Sequence, residues 1–140
     1  NYQIQAGDIS SIVLRKAGEG IYTAKQVNRI PKAYLQKYFL VRKNDDGSKD
    51  FKVKPEIRSK LNFHPLNLYD SRYPYTGTYH FISCRNTLIY FEPEDQEKII
   101  LGLAKFLAPN GFLFTGHSES IIDPEKLGLK RVKQSIYTKI

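Results

Sequence analysis

"PEDQEKIILGLAKFLAPNGFLFTGHSES", residues 93–120, carries a helix, a stop and a strand in one unbroken run. Pro93 with Glu94 and Asp95 makes a helix opening, because proline suits the first helical position and acids suit the positive end of the helix dipole. Ile99, Ile100, Leu103, Phe106 and Leu107 then recur at helical spacing, which predicts one apolar face and a helix from Pro93 to about Leu107. Pro109, Asn110 and Gly111 stop it, and "GFLFTG" follows as a buried strand. A helix running straight into a buried strand is the repeating element of an α/β sheet.

Upstream, the same alternation recurs. "YQIQA" alternates and ends at Gly7-Asp8, after which Ile9, Val13 and Ala17 share a helical face until Gly18 and Gly20 break it. "IPKAYLQKYF" opens with Pro31 and sets Tyr34, Leu35, Tyr38 and Phe39 on adjacent helical turns. "FLVRKNDDGSKDFKVKP" places two alternating runs around Asn-Asp-Asp-Gly-Ser, which predicts a β-hairpin at about 39–54. "LNFHPLNL" is a short strand, with Pro65 near its end, and "YHFISC" is an apolar run of the kind buried on both faces. "LKRVKQSIYTKI" supplies a closing pair of strands. The expectation is a mostly parallel sheet covered on both faces and closed by an antiparallel hairpin, with ligands held outside the carboxyl ends of its strands.

A chain of 140 residues fits one domain with a real core. Its 41% apolar content is ordinary for a soluble protein, and no apolar run approaches the roughly 20 residues of a membrane span. Insertion into a membrane is not expected. One cysteine cannot form an internal disulfide and no signal peptide is legible, which points to a reducing cytoplasm. The chain starts at Asn1 and has no methionine, so this N-terminus is not expected to be a translation start. The net charge of +8 favours an acidic partner. Arg42, Lys43, Lys49, Lys52, Lys54, Arg58 and Lys60 gather between 42 and 60, but Phe51 is the only aromatic residue among them. Nucleic acid, which favours interleaved aromatic and basic residues, is therefore not the expected partner.

The residues at strand ends are the candidates for chemistry. Asp8 can bind a ribose diol through its two acceptor oxygens, or cap the following helix. Asn67 can read an adenine edge or close a turn. Arg85 and Asn86 can hold a ligand carboxylate and ammonium, or Asn86 can cap a helix at "TLIYFEP". Cys84 reads as a buried small hydrophobe more readily than as a nucleophile, since no histidine lies beside it in sequence. His64, His80 and His117 are far apart with no ligand-spaced Cys or acid, so no metal is expected. "GHSES" offers hydroxyls and a carboxylate without the spacing of a nucleophile elbow. Neither G-x-G-x-x-G nor a P-loop occurs.

Several stretches taken together resemble one family, the chemotaxis receptor glutamate methyltransferases of the CheR type. "AGDIS…VLRKAGEGIY", "IPKAYLQKYF", "FHPLNLYD", "ISCRNTLIYF", "QEKIILGLAKFLAPNGFLFTGHSES" and "QSIYTK" match its blocks in order over nearly all 140 residues. "CRN-x-LIYF" followed by "P-x-G-x-LF-x-GHSE" is the specific pair. The resemblance implies an α/β, Rossmann-like methyltransferase sheet using S-adenosylmethionine and leaving S-adenosylhomocysteine, with a small inserted β-subdomain at about 39–60. Asp8 would hold the adenosine ribose, Asn67 and Leu68 would flank the adenine, and Arg85 and Asn86 would line the methionine portion. Tyr90 would stand at the sulfonium beside the entering side chain, as the catalytic residue. The implied partners are methyl-accepting chemotaxis receptors, met through an acidic helical segment and in some members through a C-terminal tail docked on the β-subdomain.

Two departures accompany the likeness. The family's first strand with its glycine-rich loop, and its N-terminal helical domain, are not among these residues, so residues 1–140 are expected to be a partial domain, and a non-catalytic methyltransferase-like binding module is the alternative reading. His80 also stands where the family usually carries Asp.

Overall fold

The computed structural model describes residues 2–140, which divide into two compact units, one ending at Asn67 and one spanning Leu68–Ile140.

In the first unit, strand β1 (Ile4–Asp8) leads into helix α1 (Ser11–Glu19). Ser10 is the helix cap: its side chain accepts the N–H of Val13 at 3.3 Å. The alternative in which Asp8 caps α1 is thereby corrected, because Asp8 still belongs to the strand and its Oδ1 accepts the N–H of Ser10 at 2.8 Å. Next come β2 (Ile21–Thr23), the short helix α2 (Ala24–Val27) and α3 (Lys32–Tyr38). The expected hairpin is present as β3 (Phe39–Lys43) and β4 (Lys49–Val53). It is one strand wider than its sequence suggests, since β2 pairs antiparallel with β4 to give the order β2-β4-β3. After the turn of helix α4 (Pro55–Arg58), strand β5 (Leu61–Pro65) returns parallel to β1, with Asp8 opposite Pro65.

Arg58 holds this small sheet to the end of α1, donating from its guanidinium to the carbonyl of Gly18. Lys54 donates to the carbonyl of Lys37 at 2.8 Å. Among the described residues, Val27 is the one fully buried hydrophobic side chain of this unit.

The second unit holds the core. Strand β6 (Tyr79–Ser83), a 3-10 turn at Leu88–Tyr90, helix α5 (Pro93–Lys105) and strand β7 (Leu107–Phe114) are followed by a 3-10 turn at Pro124–Leu127 and by strands β8 (Leu129–Lys133) and β9 (Ile136–Lys139). The sheet order is β6-β7-β9-β8, parallel between β6 and β7 and antiparallel in the closing strands. Helix α5 buries Ile99, Ile100, Leu103 and Ala104, the face that its spacing predicts. Leu107, Leu113, Leu129 and Tyr137 meet that face from the sheet side, each fully buried.

Strand β7 starts four residues before its expected origin. Tyr79 donates its N–H to the Phe106 carbonyl at 2.7 Å and pairs with Leu107, whereas Phe81 pairs with Phe112. Residues 108–111 therefore form an irregularity inside the strand rather than the gap before it. Gly111 permits this, since a Cβ there would lie 2.8 Å from the Ala108 carbonyl oxygen and 3.0 Å from that of Tyr79.

The expectation that "YHFISC" is buried on both faces is overturned. Ile82 packs toward the core, but Phe81 is 67% exposed. Phe81, Phe112 and Phe114 lie in a mutual stack with ring centroids 6.0 to 6.5 Å apart, on the face away from the core. An apolar run marks a strand, but burial of both faces needs a layer on each side, and here α5 covers one.

Candidate functional site

The loop Arg85–Thr87 and the 3-10 turn Leu88–Tyr90 have no regular ladder to hold them, yet each backbone N–H from Asn86 to Tyr90 has an acceptor. Glu119 supplies the acceptors. Its Oε1 takes the N–H groups of Thr87 and Leu88, each at 2.7 Å, and that of Ile89 at 3.3 Å. Its Oε2 takes the N–H of Asn86 at 2.9 Å and that of Gly116 at 2.5 Å. The first N–H groups of a helical turn have no partner inside it, so one carboxylate from a distant loop does here what a capping side chain does locally. Asn86 is thus not the cap. Thr87 occupies the cap position without a side-chain bond of its own, and Asn86 takes a left-handed backbone with φ of 55°.

The loop that carries Glu119 is itself braced. Thr115 Oγ1 donates to the Glu119 carbonyl at 2.7 Å, Ser135 Oγ donates to the Gly116 carbonyl at 2.8 Å, and the Thr115 N–H reaches the Ser135 carbonyl at 3.0 Å. Gly116 has no room for a side chain: a Cβ there would stand 2.6 Å from both Asn86 Oδ1 and Glu119 Oε2. The two motifs "CRN" and "GHSE" are therefore in direct contact, glycine against asparagine and glutamate against backbone.

Glu119 is 6% exposed. Burial raises the pKa of its carboxyl, but the N–H donors of Gly116, Asn86, Thr87 and Ile89 together outweigh burial and hold it below the ordinary glutamate value. The negative charge acts on its neighbour: burial first, and then Glu119, push the Cys84 thiol up to about 11. Cys84 is a buried, protonated packing residue rather than a nucleophile.

The side chains left outside this backbone lock are the candidates. Arg85 and Asn86 are exposed, and Tyr90 is 80% exposed. Leu68, in the same unit, is half-buried against the core and accepts the Tyr73 hydroxyl at its carbonyl, 3.1 Å away. Its neighbour Tyr69 meets Phe91 with ring centroids 4.9 Å apart, so the Leu68 segment and the Arg85–Tyr90 segment are joined by a ring pair. In the first unit, Asp8 ends β1 and Asn67 lies just beyond β5. The Leu66 N–H donates to the Asp8 carbonyl at 3.0 Å, which sets Asp8 and the Asn67 segment at the same end of the parallel pair.

Glu119 escaped the sequence reading as a site residue. Its signal was a glutamate among small polar residues just after a buried strand, which reads locally as a solvated loop. Among the described residues no group of three His, Cys, Asp or Glu side chains has metal-binding geometry, and no helix is long and apolar enough to cross a membrane.

Residues 1–137 match the family described as "CheR methyltransferase, SAM binding domain". The class is therefore the S-adenosylmethionine-binding methyltransferase domain. Within that class the chain belongs to the CheR methyltransferase family. It is 37% identical over 118 residues to a chemotaxis protein methyltransferase of Klebsiella aerogenes, covering 84% of this chain and 40% of that protein. It is 34% identical over 125 residues to the chemotaxis protein methyltransferase of Escherichia coli, covering 89% and 43% respectively. With chemotaxis protein methyltransferase 2 of Pseudomonas aeruginosa it shares 31% identity over 136 residues, 97% of this chain and 48% of that protein. The chain thus spans less than half the length of these relatives.

Proposed function

We propose that this domain serves S-adenosylmethionine-dependent methylation of glutamate side chains on chemotaxis receptors. The observation that carries the reading is the match to the CheR S-adenosylmethionine-binding family over residues 1–137. The names of the relatives, chemotaxis protein methyltransferases, support the reaction class.

Taken one by one, the chemistry of these residues suits parts of the cofactor. The Asp8 carboxylate, steadied at Oδ1 by Ser10, suits the ribose hydroxyls. Asn67 offers an amide to the adenine edge and Leu68 an apolar contact. Arg85 offers a guanidinium to the methionine carboxylate, with Asn86 beside it, on a backbone held rigid by Glu119. Tyr90, 80% exposed, is the residue that this reading sets beside the sulfonium and the substrate side chain. Bound S-adenosylmethionine supplies an electrophilic methyl carbon and departs as S-adenosylhomocysteine.

No general base is needed, because a glutamate with a pKa of about 4.3 is already ionised near neutral pH. The chain's residues act by position: they align the carboxylate with the methyl carbon and keep water out, effects together worth several kcal/mol.

The acidic receptor meets the basic β3–β4 hairpin in this reading, with Lys43 and Lys49 on one face and Arg42 and Lys52 on the other. Lys54 and Arg58 are taken up by internal carbonyls, and Lys60 lies over the Tyr2 ring at 5.0 Å. Arg42, Lys43, Lys49 and Lys52, exposed on β3 and β4, remain for an acidic segment or tail.

Calorimetric titration of S-adenosylhomocysteine into the chain tests the cofactor reading, with saturable binding expected and absence of heat overturning it. Transfer of labelled methyl groups to a receptor cytoplasmic fragment tests the substrate. Base-labile label lost when the receptor glutamates become alanine is the expected result, and label that survives that change refutes glutamate as acceptor. A chain that binds the cofactor product but transfers nothing is the non-catalytic module.

A further inference from the structure

We infer that Glu119 is the positioning residue of the candidate pocket: its carboxylate sets the conformation of Arg85–Tyr90 and thereby aims Arg85, Asn86 and Tyr90. The role rests on the reading that this loop lines the cofactor pocket.

Two carboxylate oxygens offer about four lone-pair directions. Here they collect five backbone N–H groups, from Gly116, Asn86, Thr87, Leu88 and Ile89. Four of these belong to one continuous stretch of loop, which includes a residue in left-handed backbone. Leu88 is buried in the core, so its N–H loses water and depends on Glu119. Arg85 and Tyr90 flank the four clamped residues, and their side chains make no hydrogen bond or ion pair among the described residues. Their direction is set by the backbone, and the backbone by Glu119. A neutral isostere cannot substitute: glutamine keeps one acceptor oxygen and turns an NH2 toward N–H donors at the other.

The test compares the wild-type chain with E119Q, E119D and the neighbouring control S118A. Affinity for S-adenosylhomocysteine is read by calorimetry, and backbone order by amide hydrogen exchange. E119Q is expected to keep the slow exchange of Leu113 and Ile100 in the core. It should lose protection at Thr87 and Leu88 by about tenfold or more, and cofactor-product affinity by about tenfold or more, the scale of a lost charge-assisted hydrogen bond. E119D, which keeps the charge one methylene short, should recover part of both, and S118A should match wild type. A merely structural glutamate would lower protection everywhere and leave the affinity of the folded fraction unchanged, which overturns the role. Should E119Q fail to melt cooperatively, E119D decides, and wild-type affinity in that variant overturns the role. A wild-type chain without affinity overturns the cofactor reading and this role with it. Binding by wild type and equal binding by E119Q overturns the positioning role alone.

Discussion

Glu119 Oε1 accepts the backbone N–H of Leu88 at 2.7 Å across 31 positions of the chain, and both residues are buried. This bond couples the loop after β7 to the loop after β6, so the ends of two adjacent parallel strands are fastened by one carboxylate. Its consequences reach stability, thiol chemistry and ligand affinity.

The acid limit of stability should move with Glu119. The folded chain holds this carboxyl below its ordinary value of 4.5, so the unfolded chain binds the proton more readily. The resulting stabilisation is complete above the ordinary value and is lost as pH falls through the folded one. Urea midpoints measured from about pH 6 to about pH 3 should fall more steeply for wild type than for E119Q. Parallel curves would refute the assignment.

Cys84 should be inert in the native chain. With its thiol pushed up to about 11, the thiolate is scarce at neutral pH, and burial blocks reagents as well. Alkylation by iodoacetamide should proceed at the rate of unfolding under native conditions and at an ordinary rate in denaturant. Equal rates in the two conditions would contradict the buried thiol.

Gly116→Ala should destabilise the chain by about 1–3 kcal/mol, the cost of overpacking a filled site. The added methyl would face Asn86 Oδ1 and Glu119 Oε2 at 2.6 Å and the Asn86 backbone nitrogen at 3.0 Å, and the last two belong to the clamp. Chemical denaturation measures the loss, and an unchanged midpoint would show that the loop yields freely.

Asn86 separates backbone from side chain. Its φ of 55° makes alanine cost about 1–2 kcal/mol of stability, whereas glycine accepts the same backbone. If the side chain contacts cofactor, Asn86→Ala and Asn86→Gly should both weaken S-adenosylhomocysteine binding, and Asn86→Ala should be the less stable of the two. Wild-type affinity in Asn86→Gly would remove this side chain from the site.

Tyr137 is another long-range tether, since its hydroxyl accepts the N–H of Ile121 at 3.0 Å within the core. Tyr137→Phe keeps the packing and strands that N–H, at a cost of about 1–3 kcal/mol. A thermal midpoint equal to wild type would mean that the N–H finds another acceptor.

Much of the framework was legible in local pattern. The turn residues Asn44 to Ser48 announced the β3–β4 hairpin, Pro93 and the Ile99–Leu103 spacing announced α5, and the candidate residues were expected at strand ends. Each of these signals is complete within a turn or a few residues. Strand β2 gave no such signal: three residues show no period, and their partners on β4 lie about thirty positions onward. Phe81 misled for a related reason, because an apolar run records the solubility of a strand but not what covers each face.

By itself, then, the sequence determined the order of β1, α1, α3, the β3–β4 hairpin, α5 and the closing strands, the family resemblance and the residue types at the strand ends. Only the tertiary structure decided that Ser10 rather than Asp8 caps α1, that Asn86 sits in left-handed backbone without capping its turn, and that Glu119 does the capping from 30 residues away. Propensity and periodicity act between near neighbours, whereas a buried N–H takes whichever acceptor the closed fold brings to it, and that acceptor can come from any distance along the chain.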